Sequence, residues 1–284
     1  MSMTQEAVRI ARNLRTRTLG VHRAKKALMA VPPLECDTKN LRPADQLELS
    51  KLLNSPESEK GWEASARHMA SLAIPEATSG GVNPGDRRAI YYLVSGLAPA
   101  SVLEIGTHVG ASTTQIASAL HASRVQRGAS ARLVSVDIHD VNCPDTQPWL
   151  AHGTNQSPRE MIEALGHADF VDFVAKPSLT FLAGSEERFD FIFLDGDHSA
   201  KTVYEEIPAA LARLNPNGVI LLHDYFPKLK PLWSNGSVIP GPFLANERLA
   251  REGANLVVLP LGALPWPTKL QSNVTSLALL LRNE

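Results

Sequence analysis

Apolar and polar positions along this chain change their period partway. Through residues 7–19, 46–53 and 62–72 apolar side chains recur at helical spacing, with no strand-like run between them. From residue 86 onward short apolar runs alternate with amphipathic stretches. The spacing predicts a helix at 86–97, a strand at 101–105, a helix at 111–122, a strand at 132–137, a helix at 157–165 and a strand at 170–175. A strand at 189–195, a helix at 199–214 ending in the breakers Asn215-Pro216-Asn217-Gly218, and a strand at 219–224 continue the series. The finish differs: a helix at 241–252 and a strand at 255–261 are followed by the turn Pro265-Trp266-Pro267 and a strand at 276–282. With no helix between them, these last two strands predict an antiparallel hairpin.

Near-continuous apolar strands joined by helices predict a mostly parallel sheet of seven strands covered on both faces, with ligands at the carboxyl ends of the strands. The breaker-rich stretch 78–85 divides the chain into a helical N-terminal extension, residues 1–80, and an α/β domain, residues 81–284. The extension is a candidate lid or dimerisation element, and a homodimer is one expected assembly. Its first 28 residues carry seven Lys and Arg against Glu6, which reads as a solvated basic face, and no export signal is read there.

Composition narrows the function. The chain has 284 residues, 44% hydrophobic and 20% charged, enough to bury a core, and a net charge of −1. No global field recruits nucleic acid or anionic membrane, so a small-molecule partner is expected. The longest apolar stretch, residues 256–267, is broken by prolines and too short to span a bilayer. Cys36 and Cys143 are too few for a disulfide framework or a four-thiolate zinc site, and a cytoplasmic setting is expected.

The first strand runs into Glu104-Ile105-Gly106-Thr107-His108-Val109-Gly110-Ala111-Ser112. Gly106 permits a tight turn, and Gly110 permits close backbone approach before a helix whose free N–H groups attract a carboxylate or phosphate. The dinucleotide pattern Gly-x-Gly-x-x-Gly is absent, and Asp137 comes 31 residues after Gly106, where that fingerprint expects an acid after about 20. Asp137 ends the second strand, so its carboxylate can accept hydrogen bonds from both hydroxyls of a ribose. A nucleoside with a carboxylate tail satisfies both places; an ordinary strand-to-helix turn with a surface aspartate is the plain alternative.

These features, with Phe193-Leu194-Asp195-Gly196-Asp197-His198 and the closing hairpin, resemble class I S-adenosylmethionine-dependent methyltransferases over residues 80–284. Within them the chain looks like the metal-dependent O-methyltransferases, including catechol O-methyltransferase and the enzymes that tailor macrolide sugars and cephalosporins. The resemblance implies a Rossmann-like fold and the cofactor S-adenosylmethionine. It implies that Asn83, Pro84 and Gly85 lie above the methionine part and that Glu104, Gly106 and Ser112 cradle its amino and carboxylate ends. It implies further that Asp137 holds the ribose and Ser178 meets adenine, although Lys176-Pro177 stand where many relatives have Gly-Asp. His108, in the same loop as Gly110, is a further cofactor contact.

Asp195 and Asp224 end adjacent strands, and two like charges there call for a cation or a shared proton. Hard oxygen ligands suit Mg²⁺, which would bind a substrate hydroxyl and lower its pKa. His198, three residues after Asp195, is the candidate general base. In the resembled family the acid and the base three residues later match Asp195 and His198, and Asp224 matches a metal-binding acid. His223 stands where tailoring relatives carry a second acid, and Tyr225 where the catechol type carries Asn. Direct ligation by His223 favours a softer ion such as Mn²⁺, Fe²⁺ or Zn²⁺; the alternative is that His223 orients Asp224. The expected activity is O-methylation of a small hydroxylated metabolite, in natural-product biosynthesis by resemblance. A non-haem-iron hydroxylase and a catalytically silent cofactor-binding scaffold are the competing readings.

Overall fold

The computed structural model describes residues 20–72, 74 and 81–283, so the expected helix at 7–19 and most of the breaker stretch lie outside the described residues. The N-terminal part contains α1, described over residues 20–29, then α2 (Leu49–Leu53) and α3 (Pro56–Met69), with an extended strap at 31–43 between α1 and α2. The strap lies against the sheet through single bridges from Leu41 to Gly218 and from Pro43 to Arg282. Leu28 and Leu41 are buried in the same core as the strands, so this segment shares the hydrophobic interior of the α/β domain.

The remainder runs α4 (Pro84–Leu97), β1 (Ser101–Ile105), α5 (Ala111–Ser123), β2 (Arg132–Asp137), α6 (Pro158–Ala164) and β3 (Val171–Ala175). It continues with α7 (Ser178–Gly184), β4 (Phe189–Leu194), α8 (Ala200–Leu211), β5 (Leu214–Leu222), α9 (Gly241–Arg251), β6 (Leu256–Pro260) and β7 (Ala278–Arg282). The sheet order is β3-β2-β1-β4-β5-β7-β6; β1 to β5 are parallel, and β7 runs antiparallel to both its neighbours. This is the expected Rossmann-like sheet with its closing hairpin. The central strands are apolar on both faces because helices cover both: Phe191 and Ile192, adjacent in β4 and so on opposite sides of the sheet, are both wholly buried. Each such side chain contributes about 1.5–3 kcal/mol on burial.

Two boundaries differ from the pattern reading. The helix expected at 199–214 ends at Leu211, and the Asn215–Gly218 breakers bulge out of β5, shifting its register against β4 between Phe189 and Phe191. The short helix α7 was not predicted, since seven residues with few polar positions carry too little periodicity. Among the described residues no helix is long and apolar enough to cross a membrane.

Candidate active site

The carboxyl ends of β1, β2, β4 and β5 open on a cavity of about 570 Å³, a volume suited to a nucleoside-sized ligand. Its floor depends on Gly106, whose φ of +100° follows directly on β1; a Cβ there would stand 2.2 Å from the Asp195 carbonyl oxygen. Gly106 N–H donates to Val136 O at 2.8 Å, tying the turn to β2. Gly110, at φ +76°, starts α5 without a side-chain cap, which leaves the first N–H groups of that helix facing the cavity beside Ser112. Asp137 ends β2 with each oxygen accepting one backbone N–H, from His108 at 2.9 Å and from His139 at 3.0 Å. A carboxylate oxygen held by one donor keeps a lone pair for a ligand hydroxyl.

Glu104 is fully buried under this loop rather than in the cavity wall. The hydroxyls of Ser112, Thr113 and Ser135 donate to it at 2.5–2.6 Å. Burial pushes its carboxyl up to about 7, against the pull of those hydroxyls. Burial likewise pushes Glu206 of α8 up to about 7, opposed by the hydroxyl of Ser178. Both folded-state values exceed the unfolded one, so the stability they contribute is present below about pH 4.5 and is lost as pH rises through 7. The melting temperature is expected to fall between about pH 5 and 7.5, each group accounting for roughly 3 kcal/mol, and Glu104→Gln should flatten the curve. An unchanged slope in that variant would assign the effect elsewhere.

The acids and histidines meet at the ends of β4 and β5. Asp195 N–H donates to Ile105 O at 2.9 Å and His223 N–H to Leu194 O at 3.1 Å, so each side chain hangs one position beyond its ladder. Leu194 pairs with Leu222, which sets His223 opposite Asp195. The His223 ring reaches Asp195 Oδ1 with Nδ1 at 2.7 Å and Asp86 Oδ2 with Nε2 at 3.4 Å. Burial pulls the His223 pKa down, but the charges of Asp195 and Asp224, with hydrogen bonds accepted by Asp195 and Asp86, raise it well above the ordinary value. Asp224 adopts a φ of +53° and accepts the Ser276 hydroxyl at 3.1 Å. Burial raises its pKa, but His223, His198 and Lys269 hold it below the usual carboxylate range. His198 points Nε2 at Asp224 Oδ2 (3.5 Å) and Asp195 Oδ1 (3.7 Å) and is 31% exposed.

Of the expected site residues, Gly106, His108, Ser112, Asp137, Ser178, Asp195, His198, His223 and Asp224 line the cavity. Asn83, Pro84, Gly85, Glu104 and Gly110 do not. Asn83 instead caps α4, accepting the N–H groups of Gly85 and Asp86 at 3.1 Å, and Gly81 and Val82 take the place at the cavity wall. Gly85 O accepts the indole N–H of Trp266 at 2.9 Å, and Trp266 packs on Tyr92, so that aromatic braces the turn at 83–85. Trp233 also lies off the cavity, donating to Val274 O beneath Lys269. Asp197 accepts from Ser199 and Thr202 at the start of α8, a structural role. His167 is buried against His121, and burial lowers its pKa to about 4.

Asp86 and Glu206 were missed. Asp86 sits within a capping sequence, which masks it as a helix-start acid; it is wholly buried, and its Oδ1 has no hydrogen-bond partner. The signal for Glu206 was an acid at helical spacing among Val203, Tyr204, Ile207 and Ala210.

Residues 103–225 match a family model described as a methyltransferase domain. No curated protein matches the chain by sequence. Among solved structures, the O-methyltransferase from Bacillus cereus in complex with SAH is 21% identical over 82% of this chain and 94% of its own, at a TM-score of 0.50. The O-methyltransferase TomG from Streptomyces achromogenes, involved in tomaymycin synthesis and solved with SAM, is 16% identical over 80% of this chain and 99% of its own, at 0.51. A cofactor-bound protein from MTB is 21% identical over 81% and 91%, also at 0.51. At these identities the likeness is one of fold. Residues 103–225 thus resemble a methyltransferase domain, and the chain shares the fold of these solved O-methyltransferases.

Proposed function

We propose that this protein transfers the methyl group of S-adenosylmethionine to a hydroxyl oxygen of a small metabolite, aided by a divalent cation and by His198 as general base. The observation that carries the reading is that the glycine loop, Asp137 and the cluster Asp195, His198, His223 and Asp224 line one cavity. The uncapped start of α5 beside Ser112 receives the cofactor carboxylate. Asp137 takes the ribose hydroxyls with its remaining lone pairs.

The cluster fits a cation. Ligand atoms of Asp195, His198 and His223 lie within 4.8 Å of one another, and Asp224 Oδ2 is 3.9 Å from His223 Nδ1. Mixed carboxylate and imidazole donors suit Mg²⁺ through the acids and Mn²⁺, Fe²⁺ or Zn²⁺ if His223 joins them. Asp195, Asp224 and His223 are the residues that would hold it. When bound, the cation lowers the pKa of an acceptor hydroxyl. His198 Nε2 takes the hydroxyl proton, and Asp195 and Asp224 on either side stabilise the imidazolium. The acceptor oxygen then bonds the methyl carbon as its bond to sulfur breaks, the electron pair leaving with sulfur. Alignment and electrostatics supply most of the rate.

A natural-product acceptor is supported by the likeness to the tomaymycin enzyme. Two free cysteines, Cys36 and Cys143, support a reducing cytoplasm as the compartment. Calorimetric titration with S-adenosylhomocysteine tests the reading. Asp137→Ala is expected to weaken binding by about 10–100-fold, the worth of hydrogen bonds to a charged group. A wild-type protein that takes up neither S-adenosylhomocysteine nor S-adenosylmethionine would sink it.

A further inference from the structure

The wall formed by the β3–α7 turn and by α8 has no part in the methyl-transfer chemistry. Glu206 sits there, 2% exposed, with Thr202 one turn earlier on the same helix and Lys176, Pro177 and Ser178 beside it. Its Oε1 accepts the Ser178 hydroxyl at 2.5 Å, and the described residues give it no ion pair. A buried acid satisfied by one neutral hydroxyl is costly to the empty protein and retains acceptor capacity toward the cavity.

Sheet order says what reaches it. The tail-binding loop follows β1, the ribose acid ends β2, and β3 lies next outward, so a base attached to that ribose extends over β3 toward Ser178 and α8. Ile138, next to Asp137 and 64% exposed in the cavity wall, offers an apolar surface for the face of such a base. We propose that Glu206, held by Ser178, reads the amino edge of adenine: one oxygen keeps the serine hydroxyl and the other accepts a hydrogen bond from the exocyclic N6 amine. This makes Glu206 the residue that selects adenosine over inosine, whose 6-oxo group would set one acceptor against another. The inference rests on the reading of the cavity as an S-adenosylmethionine site.

The test compares S-adenosylhomocysteine with S-inosylhomocysteine by calorimetry on the full chain. Wild-type protein is expected to prefer the adenosine form by about 100-fold or more, as a site built around an N–H donor rejects an analogue lacking it. Glu206→Gln, whose amide can donate to the 6-oxo group, should shrink that preference at least about tenfold. Ser178→Ala, which frees the carboxylate to swing, should shrink it by about threefold and carries the test if Glu206→Gln fails to fold. Adenosine binding with an undiminished preference in the folded variants overturns the role of Glu206 and leaves the cofactor reading standing. No binding of either ligand by the wild type removes both.

Discussion

Asp195→Asn is expected to reduce methyl transfer by about 10³-fold while leaving the affinity for S-adenosylhomocysteine within a few fold. The substitution keeps shape and removes charge. Asp195 Oδ1 is the 2.7 Å partner of His223 Nδ1 and lies 3.7 Å from His198 Nε2, so one carboxylate serves the cation cluster and the base together. The backbone of this residue supports the cofactor loop, its carbonyl abutting Gly106 and its N–H tied to β1, and the change leaves both in place. His198→Ala should fall by about 10²–10⁴-fold, because no other uncommitted imidazole among the described residues faces the same acids. Formation of S-adenosylhomocysteine over a panel of hydroxylated acceptors measures both. Turnover within about threefold of wild type in Asp195→Asn rules the assigned chemistry out.

Gly106→Ala should remove cofactor binding and much of the stability at once. A Cβ there would lie 2.2 Å from Asp195 O and 2.6 Å from its carbonyl carbon, which are backbone atoms of an adjoining strand end and cannot swing aside as a side chain would. The positive φ of 100° adds about 1–2 kcal/mol of strain for any L residue with a side chain. A total near 3–5 kcal/mol corresponds to a melting temperature roughly 10 °C lower for a domain of this size. Gly128→Ala is the matched control: its φ is +73°, but nothing lies within 4 Å of the added carbon, so only the strain is felt. Equal melting shifts in the two variants would show that the contact between the β1 turn and the β4 end matters little.

Both experiments depend on contacts between segments far apart in the chain, and that is where the sequence becomes hard to read. The parallel sheet was legible because each of its strands is a short apolar run bounded by breakers, and apolar runs of that length have few other ways to be buried. Gly106, Asp137, Asp195, His198 and Asp224 were legible as well, because a strand end followed by a loop exposes whatever polar side chain sits there. The family resemblance places Asn83, Pro84 and Gly85 over the cofactor; in the structure they cap α4 and hold Trp266. Capping and ligand contact draw on the same residue types, so composition cannot separate them.

The sequence by itself determined the alternation of strands and helices, the closing hairpin, and which polar residues stand at strand ends, because these follow from local periodicity and breakers. The tertiary structure alone decided which of those residues face each other. Register pairs Leu194 with Leu222, and so His223 rather than Asp224 stands opposite Asp195. Packing of α4 brings Asp86 to the far nitrogen of the same ring, across 137 residues of chain. Side-chain partnership at the site is thus set by strand register and helix docking, which the whole core fixes and no local window contains.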